Sequence, residues 1–327
     1  MIKFFRQSYA IQYVVIALMA IALWIPSFVA GKVALNTETP VTPIFNLLNG
    51  LLDFSPYAQL VFAFLLLVVE TLIFNTILVD HQMVGKVSSM GAFVFVLLMN
   101  LTVTQTDFYP FVLATLFILL MLRSYFSVYL SPNPELSLVN AGMLIALASM
   151  CYFPSIVLII WSIIVLPVAK KGTLRLQLIP IFGFIFVYFF YFVGMFLFGN
   201  LPSVLSGYRD YFTSIHFSVS GFNLKNIILL SALIISTVFL LFGSDNTNFE
   251  KTVAVRTKIS MTIIMFAFAV LLLFIGSNVL MNGLIFIVLS ILVSYAFSYL
   301  GNTGWAELFL VMFVLLVFAN HYYFKLL

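Results

Sequence analysis

Residues 57–79 read YAQLVFAFLLLVVETLIFNTILV and carry a single charge, that of Glu70. As one helix the run reaches ~35 Å at ~1.5 Å per residue, enough to cross a hydrocarbon core of ~30 Å. Its apolar residues are continuous rather than alternating, so it is not a strand of a membrane barrel. The rest of the chain repeats this pattern. Of its 327 residues, 64% are hydrophobic and 7% are charged, where soluble domains carry about a quarter. The sequence therefore predicts an all-α, polytopic transmembrane helical bundle with about 11 spans. Residues 1–327 form one integral membrane domain, with no separate soluble domain.

The expected spans are 9–31, 57–79, 90–104, 108–122, 138–151, 155–169, 177–198, 226–242, 259–275, 279–300 and 305–320. The first follows Lys3 and Arg6, exceeds the length of a signal core, and lacks a small-residue cleavage site, so it reads as an uncleaved span. The uncharged stretch 138–169 would be ~48 Å long as one helix, too long for a single crossing. Pro154 near its middle predicts a hairpin or a re-entrant pair. The stretch 259–300 breaks at Gly276-Ser277-Asn278.

Basic residues set the orientation. With the N-terminus cytoplasmic, the inner side holds Lys3, Arg6, Lys86, Arg123, Lys170, Lys171, Arg175, Lys251, Arg256 and Lys258. The outer side holds Lys32, Arg209, Lys225 and Lys325. Ten of the 14 basic residues are thus inside, and the predicted location is a cell inner membrane, multi-pass.

Two long loops, 32–56 and 199–225, fall outside, and each predicts an interfacial amphipathic helix. In the first, Thr42-Pro43 is a helix start. Asn46, Asn49, Gly50 and Asp53 share one face there, and leucines and Ile44 cover the rest. In the second, Val204, Leu205, Tyr208, Phe212 and Ile215 recur at helical spacing, with Arg209 and Asp210 beside them.

Few residues are candidates for chemistry. Glu70 lies deep in a span with Thr71 and Asn75 near it on the same helix. It reads either as a proton or ion relay or as a neutral acid between helices. Asp53 and Asp210, with Glu38 as an alternate, sit at the depth of lipid phosphates. They read as a general base on an acceptor hydroxyl or as head-group anchors, and Asp107 has weaker context. Arg209, Lys32 and Lys225 suit a phosphate. His81, His216 and His321 are scattered without metal-ligand spacing, so no metal and no cofactor is expected. His81 reads as part of a solvated inner turn, and Trp24 as a belt residue. Cys151, the single cysteine, reads as apolar packing. No basic patch with interleaved aromatics suggests nucleic acid.

Lys3-Phe4-Phe5-Arg6, Asn75, and the run from Asn140-Ala141-Gly142-Met143 through Ala148 to Tyr152-Phe153-Pro154 resemble a family of uncharacterised polytopic inner-membrane proteins of Bacteroidota. The architecture is also similar to multi-span glycosyltransferases that use polyprenyl-phosphate sugars. That likeness implies a catalytic acid in loop 32–56, matched by Asp53 or Glu38. It lacks an adjacent acidic pair and a large outer domain. Three functions are expected: a transferase, polymerase or ligase acting on lipid-linked sugar at the outer face; a non-enzymatic subunit of a cell-envelope assembly; or a proton-coupled transporter centred on Glu70. The expected partners are membrane lipid, including a polyprenyl-linked sugar, and a membrane protein.

Overall fold

The computed structural model describes residues 2–7, 9–30, 41–52, 54–101, 108–129, 131–214, 253–275, 283–299 and 303–322. Every described element is helical. In chain order they are α1 (Ile2–Phe5), α2 (Ala10–Ala30), α3 (Pro43–Leu52), α4 (Pro56–Asp80), α5 (Met90–Met99), α6 (Pro110–Val128), α7 (Glu135–Cys151) and α8 (Leu158–Val168). They continue with α9 (Leu174–Leu197), α10 (Leu201–Ser214), α11 (Val253–Ile275), α12 (Leu284–Tyr299) and α13 (Thr303–Tyr322).

Five described helices are long and apolar enough to cross a membrane: α2, α4, α6, α9 and α11. Of the best window in α9 only 11% is buried in the protein, and Phe182, Phe186, Phe189, Phe190 and Phe196 point outward. A face of that size and apolarity belongs against lipid or another apolar surface rather than water. The chain is a helical membrane protein.

The expected spans matched by α5, α7, α8 and α12 are shorter. The span expected at 90–104 is the ten-residue α5, ~15 Å long, and every one of its residues is buried. Its neighbour α12 is buried from Leu284 through Phe297. Helices that are apolar all round are core helices, and here they form the centre of the bundle. The span expected at 226–242 lies outside the described residues.

Neighbouring pairs form a closed circuit: α9 against α7, α7 against α6, then α4, α5, α12, α11, α8, and back to α9. Inside it Tyr125 of α6 meets Trp161 of α8 edge-on, and the Trp161 indole N–H donates to the Met261 carbonyl of α11 at 3.3 Å. Outside it α2 packs on α4, α5 and α13.

The α7–α9 contact depends on two glycines. A Cβ on Gly142 would collide with the Pro180 carbonyl, and one on Gly183 with the Val139 carbonyl. Small residues allow such close approach where lipid supplies no hydrophobic drive between helices. The break expected near Pro154 occurs: α7 stops at Cys151, a short 3-10 turn covers Phe153–Val157, and α8 follows.

Several of the described basic residues gather at one end. Arg6 donates to the Phe297 carbonyl at 2.9 Å, Arg123 pairs with Asp80 at 3.8 Å, and Lys258 donates to the His81 carbonyl at 3.1 Å. Because α7 and α9 both start beside that end and run away from it, α10 belongs to the opposite end.

Candidate functional site

At the end away from the basic cluster, α10 turns back over α9 and encloses a groove of about 550 Å³. Its walls are nearly all carbon, and its lining includes Phe153, Phe184, Tyr188, Phe192, Tyr208 and Phe212. Phe153 is the hinge of the cluster. Its ring meets Tyr208 at 5.4 Å, Tyr211 at 4.9 Å and Phe212 at 5.5 Å between centroids. On α9, Phe184, Tyr188 and Phe192 are spaced by four and stack in series, as residues one helical turn apart must.

The groove has a small polar floor. The hydroxyls of Ser149 and Tyr188 are 2.9 Å apart and hydrogen-bonded. The buried Tyr208 hydroxyl lies beside that of Tyr188 and makes no well-formed hydrogen bond. Burial, with the phenols of Tyr188 and Tyr191 beside it, raises Tyr208 so that it stays protonated. The site thus offers aromatic surface with a few buried hydroxyls, the composition of a pocket for a largely apolar ligand.

The predicted residues fall in different places. Arg209 and Asp210 are exposed on α10. Tyr208 and Phe212 face the groove, and Asp210 lies ~200° around the helix from Tyr208, so it is directed away from the groove. Asp53, Glu38, Lys32, Lys225, Asp107 and His216 lie outside the described residues.

The first expected interfacial helix, α3, turns one residue of its expected polar face into the protein. Asn49, on the expected polar face, is buried and accepts from the Gln59 amide at 3.0 Å, while Leu47 and Leu51 are exposed. The paired amides satisfy each other inside the protein, and the leucines meet lipid at no cost. Ile44 at the other end of α3 packs on the cluster of Ala146, Met150 and Tyr188.

Within α4 the three polar neighbours separate. Thr71 donates to the Leu67 carbonyl of its own helix at 2.7 Å. Asn75 is a bracket. Its amide N–H donates to the Tyr13 hydroxyl at 2.9 Å and the Ser88 carbonyl at 3.1 Å, and its carbonyl accepts from the Ala92 N–H at 3.2 Å. It thereby satisfies one of the free N–H groups at the start of α5. Glu70 has no contact exposed to solvent, and neither carboxyl oxygen has a hydrogen-bond partner.

Two further expectations change. His81 is buried against the Phe126 ring rather than lying in a solvated turn. Trp24 is buried rather than in a belt, and donates to the Asn100 side chain at 2.8 Å. Cys151 is buried and free.

Sequence reasoning missed the groove. The four-residue spacing of Phe184, Tyr188 and Phe192 was its signal, but the same residues also satisfy a span. The pairing of α9 with Phe153 and α10 has no sequence signature. Comparison of the chain with protein-family models, curated proteins and solved structures returned no match.

Proposed function

We propose that this protein is a membrane enzyme that holds a lipid-linked substrate by its hydrocarbon chain in the groove between α9 and α10. The observation that carries the reading is the groove: about 550 Å³ of aromatic and aliphatic surface at the end of the bundle where α10 folds back. That volume is within the ~300–1,000 Å³ of ordinary ligand pockets. Arg209, exposed and adjacent to Tyr208 in the chain, supplies a cation for a phosphate at the rim. The transfer reaction on this reading is that of a lipid-linked sugar to an acceptor hydroxyl. Its general base is Asp53, which follows α3, or Glu38, with Lys32 and Lys225 as further phosphate ligands. The packing of Ile44 on the Tyr188 cluster favours loop 32–56 over Asp210 for that role. The same reading makes the basic end cytoplasmic, in an inner membrane crossed about eleven times.

The test fills the groove instead of emptying it. Ile156 lines it, and Ile156→Trp should reduce crosslinking of a photoreactive polyprenyl-phosphate probe by about tenfold, a difference of ~1.4 kcal/mol, with the melting temperature retained. Asp53→Asn should leave crosslinking intact and abolish sugar transfer. Crosslinking that is unchanged in Ile156→Trp would refute the groove as the lipid site.

A further inference from the structure

Glu70 stands apart from the groove and from every ion pair described. It is the fifteenth of 25 residues of α4, so it lies near the middle of a membrane-crossing helix. It is wholly buried, and both its carboxyl oxygens are unpartnered. The Leu116 backbone of α6 lies close enough to interact with the carboxyl, though not in the geometry of a well-formed hydrogen bond.

The helices packed on α4 bring it no counter-charge. Those helices are α2, α3, α5 and α6. The described residues of α2, α3 and α5 contain no charged side chain. Tyr13 on α2 is taken by Asn75. On α6 the one cation is Arg123, two turns beyond Leu116 and paired with Asp80. Tyr125 of α6 lies further along the same helix, against Trp161. Lys258 is at the far end of α4, on the His81 carbonyl. Among the described residues an ionised carboxylate in this position would have no cation beside it, in hydrocarbon, where even the mildest insertion scales assign a cost of ~3 kcal/mol. The neutral acid avoids that cost.

We propose that Glu70 is an intramembrane proton-binding site: it holds a proton while α4 and α6 are packed, and releases it only when they part enough to admit water or a cation. The ligand is the proton itself. Opening is required because, among the described residues, the packed state brings no cation and no well-formed hydrogen bond to either carboxyl oxygen. The inference is independent of the groove.

The test uses the full-length protein in lipid nanodiscs at pH 7. Infrared difference spectra between the protein and Glu70→Gln should contain a protonated-carboxyl C=O band that the variant loses. In a second measurement on the unaltered protein, a lipid-soluble carbodiimide, which reacts with protonated carboxyls in apolar surroundings, should leave an adduct on the peptide containing Glu70. Absence of the band overturns the bound proton. A band without an adduct overturns the opening.

Discussion

His81 ends α4, and its surroundings decide its charge. Its ring lies 5.6 Å from that of Phe126, and its carbonyl accepts from Lys258. Burial first, and then the Lys258 ammonium, lowers the imidazole from 6.5 to about 4. The folded protein therefore holds it neutral at pH 7. In the unfolded chain it takes a proton below about 6.5, which the folded chain refuses. Its contribution to stability is complete above about 6.5 and is lost as the pH falls toward 4. Melting temperatures in detergent across that window should fall for the native protein, and fall less for His81→Asn. Equal slopes would show that the ring is not held neutral. The sequence offered only a polar residue beside Asp80; Lys258 is 177 positions away. Glu70 and Asn75 were visible as polar residues in apolar runs. That one is alone and the other makes three hydrogen bonds depends on what the neighbouring segments place against them.

Helices were legible wherever length and caps agreed. Thr42-Pro43 starts α3, and Pro154 separates α7 from α8. The facing of each helix was harder to read. In water a polar stripe points outward; in α3 Leu47 and Leu51 do so, and Asn49 turns in to meet Gln59. The α7–α9 pair shows what replaces the hydrophobic effect between membrane helices. Gly142 and Gly183 let the two backbones touch, with Pro180 and Val139 carbonyls against them. Gly142→Leu would push a side chain into a carbonyl that cannot move without α9. Overpacking costs about 1–3 kcal/mol where the surroundings yield, and more where backbone must shift. The variant should melt lower and expose α9 to proteolysis. Gly194→Leu on the same helix, where a Cβ meets nothing, should melt like the native protein.

Across the described residues, Arg6, Arg123 and Lys258 lie at one end and the α10 groove at the other. That arrangement can be tested with one probe. Val87 is exposed near the basic end and Ser203 is exposed on α10. The native Cys151 is buried, so it contributes little background. In intact cells a membrane-impermeant maleimide should label Ser203→Cys directly, and Val87→Cys only after permeabilisation. The reverse pattern would invert the orientation; equal labelling would mean that the two sites share a side. The sequence by itself determined that the chain is helical and lies in a membrane, where most helices begin and end, and which basic residues cluster. These follow from local length, apolarity and charge. Only the tertiary structure decided the order of the helices around the circuit, the complete burial of α5 and near-complete burial of α12 within it, the burial of Glu70 and the aromatic groove. The physical reason is that a helix apolar on every side has no preferred face. Its neighbours are then selected by backbone fit at small residues and by the few polar groups that must find partners.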